Sequence, residues 1–200
     1  MNLRTLRILL WILVVVALAG VTLLLLRAPN GNGAATVRTT SVSFGGPFTL
    51  TGGDGKQFSS SRLNGRPHAI FFGFTNCGDV CPTTLGRLAK LRRELGEGDQ
   101  SFDILFITID PKRDGPKEVG QYATLFNTPI IGLTGSPAQI DQVKKQYGIH
   151  AEVVPGHDDH YDVDHTSSVL LFGRDGKLAG TISPEEADSA ALDKLRRIIA

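Results

Sequence analysis

Residues 69–91 read AIFFGFTNCGDVCPTTLGRLAKL, and this stretch decides the fold. Its first part, residues 69–74, is a continuous apolar run, which is typical of a strand buried on both faces of a parallel sheet. Leu88, Leu91 and Leu95 then follow at the i, i+3 and i+7 spacing of one helix face. The pattern predicts a strand that leads into a helix, with Cys77 and Cys81 at the junction.

A second buried strand, ILFITI at residues 104–109, completes a β-α-β unit. Beyond it the sequence predicts a helix over 116–126, a strand over 130–133, a helix capped by Ser136, a hairpin of strands 168–172 and 178–182, and a last helix capped by Ser183. Residues 48–59 predict a further hairpin in front. This order predicts a thioredoxin-like α/β fold with an added N-terminal hairpin and an inserted helix and strand.

The composition describes one globular domain. Of the 200 residues, 41% are hydrophobic, and 21 basic and 20 acidic residues give a formal net charge of +1. The charges are mixed along the chain, so no sustained positive field is available for nucleic acid. Two cysteines cannot build a disulfide framework, which leaves one bridge, one metal site or one redox pair.

The N-terminus carries an unbroken apolar run, ILLWILVVVALAGVTLLLL, after Arg4 and Arg7. Its length suits a membrane span, and the basic residues favour a cytoplasmic start. A cleaved signal peptide is the alternative, since Ala17-Leu18-Ala19 has a small-x-small pattern. We expect a bacterial inner-membrane protein with its domain in the periplasm. The predicted segments are a cytoplasmic start (1–7), a transmembrane anchor (8–26), a flexible linker (27–46) and the folded domain (47–200).

The two cysteines are four residues apart, at i and i+4 across the predicted helix start. Their sulfurs can therefore converge on one point. A helix N-terminus lowers the pKa of a thiol and supplies thiolate. Two soft sulfurs suit Cu(I), with an imidazole as a third ligand, and the same convergence suits a disulfide. Buried core thiols are a further interpretation, which the turn-forming residues between the cysteines disfavour.

His165 precedes the strand predicted over 168–172, where a thioredoxin-like fold returns beside the cysteine helix. Redox-active thioredoxins have a cis-proline at that approach, whereas Asp164 and His165 stand there in this chain. The substitution favours a metal over disulfide exchange. Considered alone, His165 also fits a solvated loop.

Asp110 and Asp164 are the residues expected to support the ligands. Asp110 follows the strand at 104–109 and so lies at the same sheet edge as Cys77. It would orient His165 through its second ring nitrogen, or it is simply a turn aspartate before Pro111.

The segment GHDDHYDVDH, residues 156–165, has three histidines and four aspartates. His157 and His160 are candidates for an accessory Cu(II) site. A solvated acidic loop is the favoured interpretation, since hydrophilic clusters are usual in long connections.

Four successive motifs resemble those of the Sco/SenC family, the membrane-tethered copper proteins that help assemble cytochrome c oxidase. They are TNCGDVCP (75–82), FITIDPKRD (106–114), GLTGSPAQIDQV (132–143) and YDVDHTSSVLLFGRDGKL (161–178). The resemblance implies that Cys77, Cys81 and His165 bind copper destined for the dinuclear CuA site of oxidase subunit II. It also implies other periplasmic copper chaperones as partners. Gly78 departs from the family, which usually has proline after the first cysteine.

Two functions from different classes remain open at this point. The first is a metallochaperone, which is not an enzyme, with copper on Cys77, Cys81 and His165. The second is a thiol-disulfide reductase that keeps the partner's copper-ligand cysteines reduced, with Cys77 attacking and Cys81 resolving. A thiol peroxidase ranks last, because no Thr-x-x-Cys motif with an activating arginine is evident.

Overall fold

The computed structural model describes residues 2–27, 44–155 and 161–200. The chain divides into two units, residues 1–42 and 43–200. Most of the predicted linker, together with His157 and His160, lies outside the described residues.

The first unit contains one helix, α1 (Leu3–Arg27), which covers the predicted anchor. Among the residues described, no helix has both the length and the apolar character needed to cross a membrane.

The second unit is a mixed α/β domain built on a seven-stranded sheet in the order β2-β1-β5-β4-β3-β8-β9, with β6 and β7 in a separate two-stranded sheet. The strands are β1 (Thr49–Gly52), β2 (Gln57–Ser59), β3 (His68–Gly73), β4 (Asp103–Thr108), β5 (Ile131–Thr134), β6 (Ala151–Pro155), β7 (Tyr161–His165), β8 (Val169–Phe172) and β9 (Leu178–Ile182). The helices are α2 (Val80–Leu95), α3 (Pro116–Ala123), α4 (Pro137–Gln146) and α5 (Asp188–Ile199).

The predicted β-α-β unit is confirmed. Strands β3 and β4 pair in parallel, and every residue of β3 is buried. Strand β5 extends the sheet in parallel on one side, while β8 joins β3 antiparallel on the other. The front hairpin β1-β2 and the inserted α3 and β5 also agree with the prediction.

Helix α4 begins with the capping box that the sequence predicted. The Ser136 hydroxyl accepts from the backbone N–H of Gln139 at 3.3 Å, and the Gln139 side chain accepts from the Ser136 N–H at 2.9 Å. Two N–H groups of the first turn are thereby satisfied, which fixes the start of the helix.

The last helix does not begin at Ser183, as predicted, but at Asp188 after the N-cap Ala187. Residues 183–186 form a turn instead, in which the Glu186 N–H donates to the Ser183 carbonyl at 3.2 Å. The side chain of Arg87 in α2 donates to the carbonyls of Ser183 and Pro184. Arg87 thus binds these two carbonyls in a segment that is not helical. The helix-capping signal of residues 183–186 is overridden by this tertiary contact.

The predicted loop over 156–165 is a strand in its second half. Residues 161–165 form β7, which pairs antiparallel with β6. Of the β7 residues only Val163 is buried, while Asp162 and Asp164 are exposed. A half-buried strand is recognised in a sequence by its alternation of apolar and polar residues. This segment has too few apolar residues to show that alternation, so the strand was not predicted.

Candidate metal centre

Cys77 and Cys81 lie where β3 passes into α2. The N–H of Cys77 donates to the Phe74 carbonyl at 3.3 Å, which folds the chain into a turn just beyond β3. Cys81 lies in the first turn of α2, and its N–H donates to the Cys77 sulfur at 3.3 Å. Cys81 is fully buried and Cys77 is half-buried, and both are free thiols.

Gly73 leaves the space that the Cys81 sulfur occupies. A Cβ at position 73 would lie 2.8 Å from that sulfur and 3.0 Å from the ring of Phe71. Real side chains do not approach so closely in a packed interior. A glycine at the end of β3 is therefore part of the architecture of the site.

His165 is the last residue of β7, and its ring packs against the aromatic rings of Phe71 in β3 and Phe74 just beyond it. The centroids of Phe71 and Phe74 lie 6.1 and 5.9 Å from it, both edge-on. Its Nε2 is 3.7 Å from the Cys81 sulfur. Its Nδ1 is 2.9 Å from the Thr166 carbonyl, which can only accept, so Nδ1 donates there and the neutral ring would present the lone pair of Nε2 to a metal.

The structure brings the two sulfurs and the imidazole together, with their ligand atoms all within 4.8 Å of one another. Ligand atoms that share one ion at about 2.0–2.3 Å lie within roughly 4.6 Å of each other. A small closure of the site therefore suffices. Over the described ranges this is the one cluster of such residues able to hold a metal, and two thiols with an imidazole select soft ions.

The acid-base state of Cys81 differs from the prediction. Burial raises the pKa of the Cys81 thiol above its ordinary value, and the hydrogen bond with Cys77 raises it further. Desolvation of the charged form thus outweighs the helix N-terminus that was expected to supply thiolate. A metal that binds here must displace the Cys81 proton.

The predicted contact between Asp110 and His165 is not formed. The Asp110 carboxylate accepts instead from the Tyr161 hydroxyl, at 2.8 and 2.9 Å for its two oxygens, and from Arg113. Nδ1 of His165 is already bonded to the Thr166 carbonyl. The alternative of a turn aspartate agrees with the structure, since the Asp110 carbonyl accepts from the Asp114 N–H at 3.0 Å.

Asp164 does not reach the ligands either. Successive residues of a strand point to opposite faces, so Asp164 faces away from the side that His165 occupies. It is exposed and stands opposite Glu152 across the hairpin.

Sequence reasoning missed Asp114, which is fully buried beneath the cysteine turn. Its carboxylate accepts from the Thr75 N–H at 2.9 Å, from the Thr75 hydroxyl and from the Thr108 hydroxyl at 2.6 Å. The residue stands in the quoted motif FITIDPKRD, but nothing in that motif says that this second aspartate is the buried one. It ties the turn before Cys77 to the end of β4.

Tyr161 was also missed, because it lies in the segment interpreted as a loop. Burial raises its pKa, and the hydrogen bond to Asp110 adds to this effect, so the hydroxyl stays protonated and donates. The guanidinium of Arg113 lies 3.7 Å above the Tyr161 ring. The hydroxyl is thus held by charge-assisted contacts on the strand that carries His165.

The fold and the site together define a thioredoxin-like protein with a soft-metal site of two cysteines and a histidine. Residues 37–200 match the model of the SCO1/SenC family. The chain belongs to the SCO1/SenC family.

The relatives agree with this assignment. The chain is 38% identical over 161 residues to the SCO2-like protein RC0895 of Rickettsia conorii, covering 78% of each chain. It is 36% identical over 164 residues to the mitochondrial protein SCO2 of Saccharomyces cerevisiae, covering 80% of this chain and 54% of the yeast protein. The chain therefore spans about half the length of that yeast relative.

Solved structures agree with the fold. The copper-bound structure of Bradyrhizobium japonicum ScoI has a TM-score of 0.70 at 37% identity, covering 78% of this chain and 99% of that one. Yeast Sco1 with copper bound has a TM-score of 0.70 at 31% identity, covering 78% and 87%. BsSco, described as a member of the Sco family of cytochrome c oxidase assembly proteins and as having a disulfide switch, has a TM-score of 0.60 at 25% identity, covering 77% and 92%.

Proposed function

We propose that this domain is a metallochaperone that binds one copper ion through Cys77, Cys81 and His165 and acts in the assembly of cytochrome c oxidase. The observation that carries the proposal is the convergence of two thiols and an imidazole nitrogen within 4.8 Å. Cu(I) is the common biological ion that prefers such a low-coordinate soft set. The copper-bound relatives of the same fold support the choice of metal.

Copper is the cargo in this proposal, and the structure suggests the order of its release. Cys77 and His165 are partly exposed, whereas Cys81 is fully buried. An incoming ligand of the partner would displace the accessible donors first, one at a time, and Cys81 last. Each departing thiolate takes up a proton, and Cys81 does so readily because burial favours its neutral form.

The destination proposed for the copper is the CuA site of oxidase subunit II, with other periplasmic copper chaperones as donors. The support is the match to a family whose member BsSco is described as an oxidase assembly protein. A site with two cysteines is suited to exchange with another soft-ligand site, because thiolate can replace thiolate without a large change in coordination.

Cells that carry His165→Ala test the function directly. We expect oxidase activity and the CuA absorption band to fall to the level of a deletion strain, while the protein accumulates normally. His150→Ala is the matched control, since the His150 side chain is 67% exposed and lies outside the cluster. Full oxidase activity with His165→Ala would contradict copper transfer.

A second candidate function is thiol-disulfide reduction. It is favoured by the free thiol of half-buried Cys77, which lies one turn from Cys81. The Cys77 thiolate would attack a partner disulfide and release one partner thiolate. Cys81 would then attack the Cys77 sulfur of the mixed disulfide, its proton passing to the second partner thiolate as that leaves, so that the partner gains two electrons and the Cys77–Cys81 disulfide forms. This reaction does not need His165, so His165→Ala would leave the exchange rate unchanged.

The location is a separate proposal: the inner membrane of a bacterium, with the domain in the periplasm. The apolar run of residues 8–26 after Arg4 and Arg7 supports it at the level of sequence alone. Fractionation at alkaline pH and protease access to intact spheroplasts test it. Release into the soluble fraction, or protection from external protease, would contradict it.

A further inference from the structure

His165 is carried by an element with little backbone support. Strands β6 and β7 form a two-stranded sheet of their own, and within the described ranges neither belongs to the seven-stranded sheet. An isolated two-stranded hairpin is marginally stable. The position of His165 therefore depends on the side chains that hold β7 against the domain.

The polar contacts at the start of β7 come from a cluster of Asp110, Arg113 and Tyr161, called the Tyr161 cluster below. The Tyr161 hydroxyl donates to the Asp110 carboxylate, which is only 5% exposed. Arg113 pairs with the same carboxylate, lies 3.7 Å above the Tyr161 ring and donates to the Tyr161 carbonyl at 3.0 Å. The loop after β4 thus binds both the side chain and the backbone of Tyr161, the first residue of β7.

The cluster is connected to the metal site in two ways. Tyr161 and His165 lie on the same face of β7 with buried Val163 between them, so the strand transmits the position of one to the other. Arg113 also lies 5.6 Å above the ring of Phe74, whose edge contacts His165. Beyond His165, the hairpin base is held by the Thr166 N–H, which donates to the His150 carbonyl at 3.1 Å.

We propose that the Tyr161 cluster is a positioning device that holds His165 at the copper and sets the rate at which copper leaves. When the cluster opens, β7 moves away from the loop after β4 and the imidazole withdraws. Copper then rests on two thiolates and is open to the ligands of a partner. This inference rests on the proposed function.

The test is the rate of Cu(I) transfer from the loaded protein to an excess of a chromogenic chelator, measured without oxygen. Tyr161→Phe removes the hydroxyl and keeps the ring under Arg113. We expect copper release at least about ten times faster than in the wild type, because a hydrogen bond to a carboxylate is lost. Tyr147→Phe is the matched control: it removes a hydroxyl that donates at 3.1 Å to the Gly46 carbonyl, and it should release copper at the wild-type rate.

A double variant separates positioning from a general loss of structure. If the cluster acts through His165, Tyr161→Phe adds nothing to the release rate of His165→Ala. In the Cu(II)-loaded protein, Tyr161→Phe should also weaken the nitrogen coupling in electron paramagnetic resonance, and Tyr147→Phe should not. Asp110→Asn, which keeps an acceptor for Tyr161 but loses the charge, should give an intermediate rate and serves if Tyr161→Phe does not fold.

The outcomes are distinct. A wild-type rate in both Tyr161→Phe and Asp110→Asn, while His165→Ala still releases copper faster, would overturn this inference and leave the proposed function standing. An equal acceleration in the His165→Ala background would also overturn it. A wild-type protein that retains no copper would overturn both.

Discussion

At the scale of single residues, Cys81 has a different role from Cys77. Its burial keeps the metal-free thiol protonated, which protects it from oxidation, because thiolate is the reactive form. Cys77 is partly exposed and available to a partner. In the proposed copper site, Cys81 would therefore hold the metal from the interior, and Cys77 would be the thiol that is open to exchange.

Gly73→Ala should damage the site from beneath. The new methyl group would stand 2.8 Å from the Cys81 sulfur, with the rings of Phe71 and Phe106 at 3.0 and 3.1 Å on its other sides. The sulfur must move, so Cu(I) affinity should fall by at least about tenfold in a chelator competition.

Gly78→Ala is the control for this change, because nothing lies within 4 Å of a Cβ there. It should bind copper as the wild type does. Equal affinity of Gly73→Ala and the wild type would show that the Cys81 sulfur does not pack against Gly73.

At the scale of elements, the ends of three strands meet at Asp114. Its carboxylate binds the turn after β3 and the end of β4, and its carbonyl accepts from the Thr134 hydroxyl at the end of β5 at 2.6 Å. Turns are normally more mobile than the strands they join. Here the turn between Phe74 and Cys77 is fixed to the sheet by the buried side chain of Asp114.

Asp114→Asn should lower the free energy of unfolding by about 2–3 kcal/mol, measured by urea denaturation of the metal-free protein. The Thr75 hydroxyl can accept from the new amide nitrogen, but that nitrogen carries two N–H donors where the carboxylate oxygen only accepted, so at least one buried donor is left without a partner. Asp193→Asn changes an exposed aspartate paired with Arg196 and should alter stability by less than about 1 kcal/mol. An equal effect of the two changes would show that the Asp114 network is not formed.

The elements also show what could be predicted from the sequence. The apolar runs predict β3 and β4 because nearly every residue in these strands is buried, and the Ser136 capping box predicts the start of α4 because that signal is local. The start of α5 was predicted wrongly because Arg87, distant in sequence, binds the carbonyls of Ser183 and Pro184, and β7 was missed because Val163 alone among its residues is buried. Cys77, Cys81 and His165 were identified because thiols and imidazole are the side chains that bind soft metals. The hydrogen bonds of Asp110 could not be predicted, because they depend on which residue of β7 faces it.

At the scale of the whole molecule, buried ionisable groups set the response to pH. Burial lowers the pKa of His68, which is stacked on Phe172 at 4.9 Å. The neutral imidazole is therefore favoured in the folded state. Its contribution to stability is complete above the unfolded value of 6.5 and is lost as the pH falls toward the folded pKa.

The free energy of unfolding of the metal-free protein should therefore decrease as the pH falls below 6.5, by at most about 1.4 kcal/mol per pH unit from this group. His68→Gln should be less stable at neutral pH but show a smaller decrease. His150→Gln, at an exposed position, should keep the wild-type pH slope. If His68→Gln shows that slope too, another group is responsible.

The measurement that tests the central claim most directly is an anaerobic Cu(I) titration of the reduced protein against a competing chelator. Cys77→Ser, Cys81→Ser and His165→Ala are compared with Asp164→Asn, whose side chain lies on the opposite face of β7. We predict one copper per chain, affinity at least about a hundredfold lower in each of the three ligand variants, and no change with Asp164→Asn. Weak binding by the wild type, or binding indifferent to His165, would contradict the copper site and leave the two cysteines as a redox pair.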